Sequence, residues 1–197
     1  MAQTSFLLAE TVEVDLAVAS AMAQELETYL TQDELYWTLI VRVEDRDRSI
    51  KMTGGDLLTR LHRLQQVRDQ LSAWQSERLN EAQQQVTGLS YSLRTRFQQR
   101  LQREAKARLS SLRWFLEDCP ADLQRCRVEF PFEMRNRQRV EEIVKVLGAE
   151  LDEPLKSQID SVDQQIRSLT RPAEFTWDQS LKAVFPRQRY WYLYMRP

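Results

Sequence analysis

Between residues 56 and 116 apolar side chains recur every three or four positions: Leu57, Leu61, Leu64, Val67, Leu71 and Trp74, then Ala82, Val86, Leu89, Leu93, Phe97, Leu101, Ala105, Leu109, Leu112 and Leu116. That spacing marks one face of an α-helix. No proline interrupts it, and Gly88 is the single weak point, costing about 1 kcal/mol relative to alanine inside a helix. The steps Ala82, Val86, Leu89, Leu93 and Phe97 pass Gly88 without losing phase. They predict one long helix over residues 56–117, with Gly88 as the place for a bend, in preference to a helical hairpin turning there. Such a helix would run for about 90 Å at ~1.5 Å per residue. Its apolar stripe needs other segments to cover it.

Several segments offer that cover. Val12, Leu16, Ala19, Ala23, Leu26 and Leu30 predict a helix near residues 11–31, with Thr11 as N-cap and Glu13 and Asp15 in the first turn, where the helix dipole favours anions. Val140, Ile143, Val144, Leu147 and Leu151 follow helical spacing up to Gly148, a suitable C-terminal cap. Leu155, Ile159, Val162, Ile166 and Leu169 repeat it between Asp152-Glu153-Pro154 and Arg171-Pro172. Together these predict a helix hairpin downstream of the long helix.

The period changes to two between Tyr36 and Thr53. Trp37, Leu39, Val41 and Val43 share one parity, Ile50 and Met52 alternate with Ser49, Lys51 and Thr53, and Gly54-Gly55 closes the stretch. This predicts an antiparallel hairpin over 36–53, with a buried helix through 35–43 as the competing reading. Residues 171–197 are rich in aromatic side chains, namely Phe175, Trp177, Phe185, Tyr190, Trp191, Tyr192 and Tyr194. Rings at this density are costly to leave in water, so the segment is expected to dock on the chain or on a second copy. A C-terminal strand within 190–195 would pair with the 36–53 hairpin. The expected fold is therefore mainly α. It is a long-helix bundle with a downstream helix hairpin and a small antiparallel β element, forming a single helical domain over 1–197.

With 28 Lys and Arg against 29 Asp and Glu, the net charge is −1, and 42% of the 197 residues are hydrophobic. Collagen-like, low-complexity and highly charged disordered classes are excluded, because enough apolar surface exists to offset the entropy of ordering. The longest uncharged run, from Ala82 to Leu93, falls short of the ~18 residues a membrane span requires. No Lys or Arg precedes Arg42, which predicts no cationic leader and a cytoplasmic protein. Cys119 and Cys126 would lie ~10 Å apart on one helix, too far for a disulfide unless Pro120 breaks that geometry, so two reduced cysteines beside a helix end are expected.

Motifs that carry chemistry are sparse. His62 is the only histidine and has no carboxylate three or four residues away, which leaves it without a local orienting partner for general-base work. Neither Gly-x-Gly-x-x-Gly nor a phosphate-binding loop occurs. No metal or other cofactor is expected. The charges, however, are segregated. Glu10, Glu13, Asp15, Glu25, Glu27, Asp33 and Glu34 stand without a cation in the first 34 residues. Arg94, Arg96, Arg100, Arg103, Lys106, Arg108 and Arg113 face Glu104 alone. The two blocks could attract each other, within one molecule or between two.

Three functional expectations follow, in this order. First comes a non-enzymatic protein-interaction or structural helical protein that binds a protein partner or itself, with Arg187, Arg189, Tyr190, Trp191, Tyr192 and Tyr194 as candidate surface, since aromatics and arginine are enriched at binding hot spots. Second comes a nucleic-acid or polyanion binder using Arg96, Arg100, Arg103, Lys106 and Arg113 on the basic stretch 94–113. Last is an enzyme whose site is assembled only in the fold, from residues such as Glu133, Arg135, Arg139 and Tyr190.

Overall fold

The computed structural model describes residues 10–43 and 45–197; residues 1–9 and Glu44, which falls in the turn of the predicted hairpin, lie outside the described residues. The elements are α1 (Val12–Gln24), α2 (Leu26–Thr31), β1 (Trp37–Val43), β2 (Arg46–Met52), α3 (Gly54–Gln66), α4 (Ala73–Ser92), α5 (Arg94–Asp118), α6 (Leu123–Leu147), α7 (Glu153–Leu169), β3 (Arg171–Pro172) and β4 (Met195–Arg196). The fold is mainly α with a small antiparallel hairpin, as the periodicities predict. Among the described residues no helix is long and apolar enough to cross a membrane. The chain forms two compact units, Glu10–Glu104 and Ala105–Pro197, and the division falls within α5.

In the first unit α1 is the central element. Thr11 caps it by accepting from the Val14 amide at 3.3 Å. Leu16, Val18, Ala19, Met22 and Ala23 are buried, and α3, α4 and β1 all pack on it. The predicted helix 11–31 is interrupted at Glu25, where α1 gives way to α2. The hairpin pairs Trp37 with Met52 through to Val43 with Arg46. Leu39, Val41 and Val43 point inward, and Asp45 takes the left-handed conformation at φ 60°, which aspartate tolerates better than most residues.

The single helix over 56–117 is not formed. α3 ends at Gln66, a 3-10 turn follows at Arg68–Gln70, and α4 starts afresh after Ser72. The reason is local. Ser72 and Gln75 make a capping box, Ser72 Oγ accepting from the Gln75 amide at 3.2 Å while Gln75 Oε1 accepts from the Ser72 amide at 2.9 Å. Leu79, Ala82 and Val86 face inward, and Trp74 is left 59% exposed with the Arg78 guanidinium 5.1 Å above its ring. Gly88 lies inside α4 with open space where a Cβ would stand. The irregularity comes instead at Leu93, across which backbone bonds continue from Leu93 N to Leu89 O and from Phe97 N to Leu93 O. The chain thus does not reverse at Gly88.

The acidic start of α1 meets α3 rather than the basic stretch. Arg60 binds Asp15 at 2.8 Å, Asp56 at 3.0 Å and Glu10; Arg63 binds Asp15 and, at 3.4 Å, Glu10. Three carboxylates thus share two guanidinium groups in a largely buried site, so one carboxyl holds its proton unusually well. Burial, only partly offset by Arg63 and Arg60 and reinforced by Glu10, pushes the Asp15 carboxyl up from 3.8 to about 6. Because the folded value lies above the unfolded one, the stability Asp15 contributes is complete below pH 3.8 and is lost as pH rises through about 6. Asp15→Asn removes that titration. In urea unfolding, wild type minus Asp15→Asn is expected to fall by on the order of 3 kcal/mol between acid and neutral pH. A difference that does not change with pH would refute the raised carboxyl.

In the second unit Ala105, Leu109, Leu112 and Leu116 of α5 are buried, as are Phe130, Met134, Val140, Ile143 and Leu147 of α6 and Leu155, Val162 and Ile166 of α7. The predicted helix hairpin is present as α6 and α7. Gly148 ends α6 at φ 51°, and Asp152 starts α7 by accepting from the Leu155 amide at 2.7 Å. α6 begins earlier than its apolar repeat, at Leu123, and carries Pro131 in its interior.

Cys119 and Cys126 form a disulfide, which corrects the expectation of two reduced cysteines. Pro120 draws Cys119–Ala121 into a 3-10 turn, and Asp122 caps a new helix. The Cα atoms therefore stand 5.0 Å apart instead of lying on one helix. A second correction concerns the C-terminal strand: Trp191–Tyr194 form a 3-10 turn, and only Met195–Arg196 are extended, pairing with β3 and not with the 36–53 hairpin. The extended residues after α7 supply the edge, and the pairing continues as Ala173 N to Tyr194 O and Thr176 N to Leu193 O.

Candidate functional site

Helical spacing places Arg96, Arg100 and Arg103 on one side of α5, and the fold engages the last two of them. Arg100, 7% exposed, donates to the Glu34 carbonyl at 2.6 Å and to the Gln32 carbonyl, with its guanidinium 4.9 Å above the Tyr29 ring. Arg103 donates to the Asp33 carbonyl at 3.0 Å. These groups bind main-chain oxygens just past the end of α2, where cations complement exposed carbonyls. A cavity of about 360 Å³ remains between Arg96, Gln99 and the 30–33 segment. Its two inner guanidinium groups already have partners.

The other two candidate cations, Lys106 and Arg113, belong to the second unit and open onto one cavity of about 290 Å³. With Ser110 between them they step four and three residues along α5, which keeps them on one face. From α7 come Gln158 and Ser161, three residues apart, and the floor is Leu109 and Val162, both 2% exposed. Lys106 donates to Asp152 at 2.8 Å, and this ammonium bond, opposed by slight burial, holds the Asp152 carboxyl below its usual range. Arg113 has Glu117 at 3.7 Å. The first pair is half-buried and the second exposed.

The aromatic segment docks within its own unit. Tyr190, Tyr192 and Tyr194 are buried, with Trp177, Phe185 and Tyr190 meeting edge to face at 5.4 and 5.0 Å. Trp177 Nε1 donates to the Pro131 carbonyl at 2.7 Å, and the Tyr194 hydroxyl to the Phe185 carbonyl at 3.0 Å. Tyr190 donates to Glu142 at 2.5 Å and accepts from Lys145, while Gln138 also donates to Glu142 at 3.1 Å. Burial first, then the Glu142 carboxylate, pushes the Tyr190 phenol far above its ordinary value, so it remains a donor. Trp191 is half-buried under the Arg167 guanidinium at 4.1 Å. Of the candidate surface only Arg187 and Arg189 are exposed.

No family model, curated protein or solved structure matches this chain.

The site therefore rests on its geometry alone. Of the residues proposed for a fold-assembled enzyme, Glu133 accepts from Asn136 at 3.0 Å and Arg135 donates to the Phe132 carbonyl at 3.0 Å, both within α6, and Tyr190 belongs to the Glu142 network. Sequence reasoning missed the α7 half of the cavity. The signal was present in Gln158 and Ser161, which flank the inward-facing Ile159 and Val162 on the side nearest α5. It also missed a buried charge cluster in which Arg137 grips Asp163 through two bonds at 2.7 and 3.1 Å, binds Glu141 at 3.0 Å and lies 4.9 Å over Tyr192.

Proposed function

We propose that the chain is a non-enzymatic protein-interaction module that associates with a second copy through its β1–β2 hairpin. The carrying observation is the outward face of that hairpin. Ile40 is 68% exposed and Tyr36 46% exposed on the parity opposite the buried Leu39, Val41 and Val43. Ile40 stands across from Ser49 and its neighbour Thr38 across from Lys51, and among the described residues no third strand joins the pair. A two-stranded sheet that carries an exposed Ile40 on an otherwise polar outward face of Thr38, Arg42, Asp47, Ser49 and Lys51 gains by pairing with another strand and covering that side chain. Light scattering over a micromolar to millimolar dilution series is expected to show a mass that rises with concentration, and Ile40→Asp to hold it at the monomer. A monomer throughout, unchanged by the substitution, would overturn the reading.

The polyanion reading is the weaker one, because Arg100 and Arg103 bind carbonyls of the 32–34 segment. A cytoplasmic location stays part of the proposal. It requires the Cys119–Cys126 bond to resist solution thiols, and the burial of both residues, 3% and 2% exposed, supports that.

A further inference from the structure

We propose that the cavity between α5 and α7 binds a small phosphate monoester, taking the phosphate on Lys106 and Arg113 and a short carbon body on Leu109 and Val162. The proposal goes beyond the interaction reading and is independent of it, since the cavity lies in Ala105–Pro197 and the hairpin in Glu10–Glu104.

Four observations carry it. The lining supplies two cations, two hydroxyls and one amide around an apolar floor, the composition of a pocket that orients one polar group and shelters a nonpolar one. Its volume of about 290 Å³ is at the lower end for ligand sites, which suits a phosphorylated fragment and is far too small for a nucleic-acid strand. Lys106 and Arg113 lie one on each side of Ser110 on the same helix face, and both are long enough to converge on a group above it. Finally, their existing partners are weak holders. The Lys106–Asp152 pair is 43% and 32% exposed and the Arg113–Glu117 pair 51% and 50% exposed, so each contributes little and yields to a dianion that takes both cations at once. In the 30–33 cavity the corresponding guanidinium groups bind backbone oxygens that no ligand replaces.

The test uses the full chain and phenyl phosphate as probe, followed by phosphorus NMR line width and calorimetry, with inorganic phosphate, sulfate and phenol at matched ionic strength as comparisons. Phenyl phosphate is expected to bind saturably and more tightly than inorganic phosphate, and more weakly as chloride is raised. Arg113→Met and Ser161→Ala change exposed or rim positions and leave the helix core intact. Arg113→Met should weaken binding about tenfold, the loss of one charge-assisted bond, whereas Arg187→Met should leave it unchanged. Lys106→Met, which also releases Asp152, serves as a second reading of the same loss and is checked for folding by circular dichroism. Equal affinity for sulfate and phosphate would still support the anion site while removing the assignment to phosphate. Failure of phenyl phosphate to saturate, or wild-type affinity in both Arg113→Met and Lys106→Met, would overturn the site.

Discussion

Arg137→Met is expected to lower the unfolding free energy by about 3–5 kcal/mol, because it strips the partner from carboxylates that remain buried. Arg137 is 4% exposed and Asp163 8%, and the guanidinium holds both oxygens of Asp163 as well as Glu141. A loss of that size consumes a large share of the 5–15 kcal/mol typical of a folded domain. Urea unfolding followed by tryptophan fluorescence reads it out, since Trp177 and Trp191 lie in the same unit. The double variant Arg137→Met with Asp163→Leu replaces a buried ion pair by apolar groups and should recover most of the loss. If the single variant costs less than about 1 kcal/mol, the value usual for an exposed pair, the cluster is not the buried anchor described.

The second large effect is expected at Glu104. Its side chain is fully buried, and Oε2 accepts from the Gly55 amide at 2.9 Å in the first turn of α3. A carboxylate there meets an unpaired main-chain donor and the positive end of the helix dipole together. Glu104→Ala should cost about 2–3 kcal/mol by leaving a buried donor without its charged acceptor. Glu104→Gln keeps an acceptor and should cost less. Amide exchange at Gly55 is the local check: it should speed up in Glu104→Ala, and unaltered exchange would show that the bond contributes nothing.

The readable parts of the fold were those controlled by neighbours within a few residues. Thr11, Asp152 and Gly148 terminate helices where their side-chain or backbone chemistry predicts, and the alternation of Leu39, Val41 and Val43 marks the strand that forms. The long helix failed for an equally local reason. The Ser72–Gln75 capping box, a start signal inside an apolar repeat, separates one helix from the next. Other features depend on contacts far apart in sequence. Arg100 resembled a solvated or phosphate-binding cation until the fold brought residues 32–34 to it, 66 and 68 positions away at two of its bonds. The tyrosines of residues 190–194 are buried in their own unit. That their anchor would be Glu142 and Lys145 could not be read from spacing, because those residues resemble any charged helix face until the fold turns them inward.

The bridge between Cys119 and Cys126 has a practical corollary for anyone handling the protein. Pro120, Ala121 and Asp122 are all exposed and enclosed by that bridge, so a protease that cuts there severs the backbone without separating the pieces. The clipped material would migrate as one band on a non-reducing gel and as two once dithiothreitol is added, making intact mass under reducing conditions the dependable measure of sample integrity.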